Sequence, residues 1–200
     1  MKKKIFFLII FFLPFFLGGC SAEKTDFFSN QPPAKPFPNI PSSWENYSNN
    51  KYQFSFAYPP DWELEIALDR PDFFKIVLKK EDPSQEKITL YREKTTPYYK
   101  IEIDVEDNPN NLSAKEKRLS AFSPSARKEE EEKIKEITVA GLRGIRFLEG
   151  AAPSSGPATM VLLSRNNKFY RFTYSALANK ENQPKFINSF NLLLSSFKFN

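Results

Sequence analysis

The sequence of 200 residues contains no histidine and only one cysteine. Without histidine, the chain cannot form a Ser-His-Asp or Cys-His catalytic arrangement or a histidine-held zinc site. Cys20 has no second cysteine with which to form a disulfide within the chain. A serine with a lysine base is the remaining nucleophilic possibility, but the surrounding pattern puts Ser154-Ser155 in a loop and Ser195-Ser196 at a helix end. We therefore expect a non-catalytic protein without a cofactor.

The chain also lacks an apolar run of the roughly twenty residues that a membrane-spanning helix needs. Its longest apolar run, residues 5–17, follows three lysines and is followed by Gly18-Gly19-Cys20. A positive start, a short apolar region and small residues at its end are typical of a secretory signal. The sequence therefore predicts a signal peptide over residues 1–19, with cleavage before Cys20.

The cleavage region resembles the lipobox of bacterial lipoproteins. Leu17, Gly19 and Cys20 match that pattern, in which the cysteine carries a diacylglycerol thioether and usually an acylated amine. The resemblance implies lipidation of Cys20, with acyl chains of the palmitate type, and attachment to the cell membrane on its extracytoplasmic face. Ser21 suits export to an outer membrane if the host has two membranes. The alternative is an ordinary secretory signal with a chance cysteine.

A strong charge of one sign is absent once the signal is removed. The chain has 29 basic and 24 acidic residues, and three of the lysines belong to the signal, so the remainder carries 26 against 24 and a net charge of +2. No stretch interleaves aromatic residues with clustered Arg and Lys. We therefore do not expect nucleic acid as a partner.

Residues 20–43 have the composition of a tether. The segment has few aliphatic residues and contains prolines at positions 32, 33, 36, 38 and 41. Proline stiffens such a segment toward an extended polyproline geometry. Phe27, Phe28 and Phe37 are its apolar exceptions. They either enter the lipid headgroup region or pack on the following domain, or the tether is partly disordered.

Residues 44–200 suit one domain with its own core. Its dominant pattern has period two. In residues 52–58 the alternation sets Tyr52, Phe54, Phe56 and Tyr58 on one face of a strand. In residues 99–105 it sets Ile101, Ile103 and Val105 inward, with Glu102 and Asp104 outward. Similar patterns predict further strands at residues 62–68, 74–79, 88–92, 134–139, 143–148, 159–164 and 168–174.

Two helices and several turns complete the pattern. Ser113 and Glu116 fit a capping box that begins a helix ending near Phe122. A second helix is predicted from the spacing of apolar residues over 186–197. Residues 128–135 favour a solvated charged face, either as a continued helix or as a lead into the next strand. Turns are predicted at residues 82–85, at Ala140-Gly141 and at Asn166-Asn167, with a loop over residues 150–157.

Three stretches resemble PsbP-like domains, in the order expected for that family. They are residues 54–62 (Phe-Ser-Phe-Ala-Tyr-Pro-Pro-Asp-Trp), residues 139–146 (Val-Ala-Gly-Leu-Arg-Gly-Ile-Arg) and residues 193–199 (Leu-Leu-Ser-Ser-Phe-Lys-Phe). The resemblance implies an α+β fold, an antiparallel β-sheet with helices packed on both faces in an α/β/α sandwich. The family includes extrinsic subunits of the photosynthetic oxygen-evolving complex and bacterial lipoproteins, and these are not enzymes. The matching residues determine strands and turns, so the resemblance supports the fold more strongly than the function.

Two groups of charged residues are candidate sites. Asp104, Glu106 and Asp107 offer hard oxygen ligands of the kind that calcium prefers, although their spacing differs from an EF-hand loop. A turn leading to the Ser113 cap explains the same residues without a metal. The second group consists of four arginines on neighbouring predicted strands that we expect to bind a partner if they share a face: Arg143, Arg146, Arg165 and Arg171.

Two functions remain open. The first is a membrane-tethered scaffold or binding domain that engages an unidentified protein partner outside the cytoplasmic membrane. The alternative is a carrier or sensor of a small apolar ligand, with the pocket formed by the aromatic interior. Fifteen phenylalanines remain after the signal's six are removed. A filled aromatic core explains them as well as a pocket does.

Overall fold

The computed structural model describes residues 39–81, 87–88, 94–95, 98–150, 158–176 and 183–200. The predicted signal peptide, Cys20 and most of the tether lie outside the described residues. The predicted turn at 82–85, most of the strand at 88–92 and the loop after Gly150 lie outside them too. Within the described residues, no helix is long and apolar enough to cross a membrane.

Most of the described residues belong to β-strands and α-helices. The strands, in chain order, are β1 (Glu45–Asn49), β2 (Phe54–Tyr58), β3 (Glu63–Asp69), β4 (Phe73–Glu81), β5 (Lys87–Ile88), β6 (Lys94–Thr95), β7 (Tyr98–Asp107), β8 (Lys135–Val139), β9 (Leu142–Glu149), β10 (Ala158–Arg165), β11 (Lys168–Ala176) and β12 (Lys198–Phe199). The helices are α1 (Ala114–Ser120), α2 (Pro124–Lys133) and α3 (Gln183–Ser196). Strands and helices are largely segregated along the chain, and the predicted α+β class is confirmed.

Seven strands form the main sheet, in the order β3-β4-β7-β11-β10-β9-β8. Every neighbouring pair is antiparallel. Ile103 of β7 lies opposite Ile76 of β4 on one side and Phe172 of β11 on the other. Because side chains alternate along a strand, this register sets the apolar residues of three strands on one face, as the period-two pattern predicted.

A smaller sheet of three strands, in the order β1-β2-β12, was predicted only in its middle strand. Phe54 and Phe56 of β2 are buried, as expected, while Tyr58 is half-buried. The sequence gives no strong signal for the flanking strands. β1 is polar and has a single aromatic residue, Tyr47, and β12 has only two residues. β1 joins β2 through a short hairpin, with Asn49 opposite Phe54, whereas the pairing of β12 with β2 brings together residues that are distant in sequence.

Two tight hairpins match the predicted turns. Asn166 and Asn167 both have positive φ, 50° and 55°, between β10 and β11. Ala140 and Gly141 have φ values of 50° and 79° between β8 and β9. Two successive residues with positive φ match the right-handed twist of the strands that they join, so each turn holds its hairpin in register.

The helices confirm one prediction in detail and settle an open one. At α1, the Ser113 hydroxyl accepts from the Glu116 amide while the Glu116 carboxylate accepts from the Ser113 amide, which is the predicted capping box. The predicted C-terminal helix is α3. The charged run left open by the sequence is helical as far as Lys133, and α2 buries none of its residues. Its start fits Pro124, which has no amide hydrogen to leave unpaired in the first turn.

The core consists of two clusters of buried side chains. The larger one joins the apolar face of β4, β7 and β11 to β2 and α3, with Phe54, Ile103, Phe172, Phe190 and Phe197 at most 1% exposed. The smaller one contains Ala114 of α1 with side chains from β9, β10 and β11: Ile145, Phe147, Met160, Leu162 and Phe169. Burial of these side chains supplies the main favourable free energy of folding.

Candidate interaction surfaces

A charged network crosses three neighbouring strands of the main sheet. Its members are Lys75 of β4, Glu102 and Asp104 of β7, and Arg171 of β11. The register sets Asp104 opposite both Lys75 and Arg171. Asp104 points away from the apolar side of β7, as expected, but the prediction that it faces solvent is wrong because the residue is only 2% exposed. The long side chains on either side cover it.

Asp104 is held by cations on both flanks. Arg171 donates to its Oδ2 from Nε at 2.9 Å and from Nη2 at 2.5 Å. On the other side, Lys75 Nζ lies 3.4 Å from Oδ1, an ion pair without hydrogen-bond geometry. Burial alone would lower the pKa of Arg171, but the hydrogen bond and charge of Asp104 outweigh burial and raise that pKa. The buried carboxylate is therefore paired, as a buried charge must be.

Glu102 lies beside this pair and is half-covered. Lys75 Nζ donates to Glu102 Oε1 at 3.1 Å, and Lys100 Nζ lies 3.3 Å from Oε2. Burial alone would raise the pKa of Glu102, but the hydrogen bond from Lys75 and the charges of both lysines together lower it. The charged form of Glu102 is thus stabilised in the folded protein.

This shift predicts a contribution of Glu102 to stability that depends on pH. Because the pKa is lower in the folded state, the contribution is present above the ordinary value of 4.5 and is lost as the pH falls through the folded pKa. Glu102→Gln should therefore lower the free energy of unfolding near pH 7, with a difference from wild type that shrinks below pH 4.5. Urea titrations across acidic and neutral pH measure this difference. Glu132→Gln, on the exposed part of α2, is the matched control. A difference in the free energy of unfolding between E102Q and wild type that stays constant from acidic to neutral pH would contradict the prediction.

The three carboxylates proposed for calcium each contact a cation of the protein. Asp104 pairs with Arg171, Glu106 Oε1 lies 3.2 Å from Lys117 Nζ, and Asp107 pairs with Lys168. Among the residues that the structure describes, no group of three or more Asp, Glu, His or Cys side chains could hold a metal ion. The structure therefore spreads these oxygens over separate ion pairs and does not bring them together.

Asn108, next in the chain, organises the turn that leads to α1. It is 1% exposed. Its Nδ2 donates to Leu112 O at 2.8 Å and to Ser164 Oγ at 3.1 Å, and its Oδ1 accepts from Leu112 N at 2.9 Å. Both ends of the amide are thereby satisfied. These bonds form the turn leading to the Ser113 cap, which the sequence offered as the alternative explanation of these residues.

We expect Asn108→Ala to lower the free energy of unfolding by about 2 kcal/mol, because it removes the acceptor of the Leu112 amide and one of the two donors to the Leu112 carbonyl, which keeps only the Ser164 hydroxyl. Asn110→Ala, two residues further on at an exposed position, should change it little. Chemical denaturation of the two variants measures the difference. Equal stabilities would mean that Asn108 does not hold the turn.

The four candidate arginines do not form one patch. Arg171 and the exposed Arg143 lie on the face of the sheet that carries Asp104. Arg146 and Arg165 lie on the opposite face. Arg146 is 9% exposed, donates to Asn191 Oδ1 at 3.2 Å and lies over the Phe190 ring, and its burial lowers its pKa. Arg165 stacks on Phe199, with Cζ 4.3 Å from the ring centroid. The strand register therefore places two of the four arginines on each face of the sheet.

A fifth arginine, Arg118 of α1, was not singled out in the sequence. Its guanidinium lies between the rings of Phe122 and Phe147, 4.7 and 4.2 Å from their centroids. It also pairs with Glu130 of α2 at 3.0 Å and Glu149 of β9 at 3.3 Å. Arg118 thus joins both helices to the sheet. Only the position of Phe147, far away in sequence, reveals this role.

Two clefts are the best-defined pockets in the described part of the chain. One, of about 280 Å³, lies between β2 and the end of α3 and is lined by Phe56, Ala57, Ser195 and Ser196, among others. Ser196 Oγ there accepts from the Ala57 amide at 2.8 Å. The other, of about 470 Å³, lies beside Arg118 and Phe122. Both open to the surface and lie outside the aromatic interior.

The edge strand β3 exposes apolar side chains. Ile66 is 52% exposed and Leu68 is 41% exposed. β3 pairs with β4 alone among the described strands. The register shifts between Ile66 and Leu68, which marks a β-bulge. β3 therefore differs from the other strands of the sheet, whose large apolar side chains are covered.

Comparisons with known proteins add fold similarities alone. No family model and no curated protein match the sequence. Solved structures that are similar include three from different organisms. Cyanobacterial PsbP from Synechocystis is 14% identical, with a TM-score of 0.49 over 84% of this chain and 98% of that one. A Bacteroides thetaiotaomicron protein is 10% identical, with a TM-score of 0.48 over 79% of this chain. The Saccharomyces cerevisiae Ran-binding protein Mog1p is 11% identical, with a TM-score of 0.44 over 78% of this chain and 95% of that one.

The chain covers 49% of the Bacteroides protein, about half its length. The three structures resemble this chain in fold alone. Membership of the PsbP-like family stays a prediction from the sequence.

Proposed function

We propose that the protein is a non-catalytic lipoprotein that binds a protein partner on the extracytoplasmic face of a bacterial membrane. The attachment is the lipidated Cys20, and residues 20–43 form the tether. The lipobox pattern of Leu17, Gly19 and Cys20 supports the anchor. The proline content of the following segment supports the tether.

The finer fold belongs to the same proposal: a PsbP-like α/β/α sandwich with helices on both faces of the sheet. Support comes from the two core clusters. Phe190 and Leu193 of α3 pack in the cluster with Ile103, and Ala114 of α1 packs in the cluster with Phe147. A domain with layers on both faces buries the apolar surface of its sheet internally, which leaves loops and edges for recognition.

The filled aromatic interior is the observation that favours a protein-binding domain over a carrier of an apolar ligand. The ring of Phe197 stacks on Phe54 at 5.3 Å between centroids and meets Phe172 edge-on at 4.9 Å. Tyr99 stacks on Phe186 at 3.6 Å. Aromatic rings that pack against one another fill the volume that a ligand would need. Core packing thus explains the buried phenylalanines of the described residues without a ligand pocket, which supports the binding domain.

Crosslinking in the protein's own cells tests the proposal. A photoreactive residue is introduced at exposed positions of the domain, such as Leu68 on β3 and Lys128 on α2. We expect one defined neighbour to be recovered repeatedly from one surface and not from the other. Recovery of no neighbour from any exposed position would contradict the proposal. An apolar ligand that accompanies the purified protein in native mass spectrometry would instead favour the carrier.

A further inference from the structure

The two edges of the seven-stranded sheet are protected to different degrees. At the β8 edge, Lys135, Glu136 and Thr138 are exposed, while Ile137 is half-buried and Val139 is buried. At the β3 edge, Ile66 and Leu68 are the large apolar side chains that the described surface exposes. An edge strand presents backbone N–H and C=O groups that can pair with another strand. The β3 edge therefore combines this pairing capacity with apolar surface.

The positions of the two apolar residues favour an added strand over a partner that docks on one face. Ile66 lies opposite Ile76, on the core side of the sheet, and Leu68 lies opposite Lys75, on the charged side. The bulge between them sets them on opposite faces. A partner on one face would cover only one of them, whereas a strand added alongside β3 passes both.

The charge of the strand indicates the chemistry of its partner. β3 contains Glu63, Glu65 and Asp69 and no cationic residue. Asp69 is paired with Lys51, and Glu63 lies across from Lys79 on β4. Glu65 lies across from Val77 and is exposed. Basic side chains in an added strand would therefore meet carboxylates.

The same charges argue against a second copy of the chain as the occupant. The uninterrupted pairing of β3 with β4 before the bulge covers residues 63–66. An antiparallel copy centred on Leu64 would set Glu63 opposite Glu65, and one centred on Glu65 would set the two Glu65 residues opposite each other. Like charges directly opposite each other destabilise strand pairs.

We propose that β3 binds an extended segment of a partner protein, with alternating basic and apolar residues, as an eighth strand of the sheet. This inference rests on the proposed function and names its binding surface. The basic side chains lie on the charged side of the sheet, against Glu63 and Glu65, with the aliphatic stem of one of them beside Leu68. The apolar side chains lie on the core side, beside Ile66. Affinity comes from backbone hydrogen bonds, and preference among partners comes from the charges.

The test uses the full chain in detergent micelles and a short fluorescein-labelled peptide of alternating lysine and valine. Fluorescence anisotropy should show binding of this peptide and no binding of a glutamate–valine peptide. In the double variant Glu63→Lys with Glu65→Lys, we expect the lysine peptide to bind at least about tenfold more weakly. The glutamate peptide should now bind. Glu136→Lys at the β8 edge is the matched control and should leave both affinities unchanged.

A lysine–valine peptide with alternate backbone amides methylated separates strand addition from attraction of charges alone. Methylation removes hydrogen-bond donors while the charges stay, so this peptide should lose binding. Retained binding would overturn the inference, as would equal effects of the substitutions at the two edges. If the neighbour found by crosslinking in cells is still recovered with the Glu63 and Glu65 substitutions, this inference fails while the proposed function stands.

Discussion

Replacing Gly144 with alanine should destabilise the domain by about 3 kcal/mol, because the new methyl group has no room. A Cβ at this position would lie 2.3 Å from Leu163 Cδ2 and 2.5 Å from the Leu162 carbonyl oxygen. The leucine methyl can rotate away, but the carbonyl belongs to the backbone of β10, which pairs directly with β9. The strands would have to separate at the centre of a buried sheet. Alanine's smaller entropic cost in a strand, about 0.5–1 kcal/mol relative to glycine, does not offset this strain.

Gly150→Ala is the matched control for that prediction. A Cβ built on Gly150, just after the end of β9, meets no atom within 4 Å. Its stability should stay within about 0.5 kcal/mol of wild type. Urea denaturation of both variants measures the difference. Equal stability of G144A and G150A would mean that β9 and β10 do not approach each other as closely as the structure has them.

Replacing Arg171 with methionine should also cost about 3 kcal/mol, because it removes the main partner of a buried carboxylate. The Asp104 side chain is only 3% exposed. Without Arg171 it keeps Lys75 at 3.4 Å, which does not replace the two donors that are lost. Methionine preserves most of the aliphatic length, so loss of packing contributes little. Arg143→Met makes the same change at an exposed position on the same face and should be nearly neutral.

A double variant separates the charge from other effects. Asp104→Asn in the Arg171→Met background removes the buried charge that has lost its main partner and should restore part of the lost stability. If the second substitution lowers stability further by its full single-variant amount, then the two residues act independently. That additivity would contradict the account of the network. The cycle is measured by chemical denaturation of the wild type, both single variants and the double variant.

Local patterns were sufficient for much of the fold. The strand β7 follows from the alternation of Ile101, Ile103 and Val105, because a sheet face repeats every second residue. The α1 cap follows from Ser113 and Glu116, whose interactions span a single turn. The hairpin at Asn166-Asn167 follows from residues that tolerate positive φ. Each of these features is decided by residues within a few positions of one another.

The surfaces depend on register between distant strands, and the sequence pattern does not contain it. The alternation of its own strand predicts that Asp104 is exposed. Lys75 and Arg171 nevertheless cover it, from positions 29 and 67 residues away in the sequence. The sequence pattern allows the arginines of neighbouring strands to share a face, but pairing of Arg146 with Val161 turns that side chain toward α3. The strand β12 is too short to carry a pattern. The exposure of Ile66 depends on β3 being an edge, which only the strand order shows.

The most direct measurement of the central claim is the chemical state of Cys20 in protein purified from its own host. Mass spectrometry of the N-terminal peptide should show a chain that begins at Cys20 and carries a diacylglycerol thioether. Cys20→Ser should abolish the modification and release the protein from the membrane fraction. An unmodified Cys20 thiol, in a chain cut elsewhere or still joined to residues 1–19, would contradict the account of a lipid-anchored binding domain.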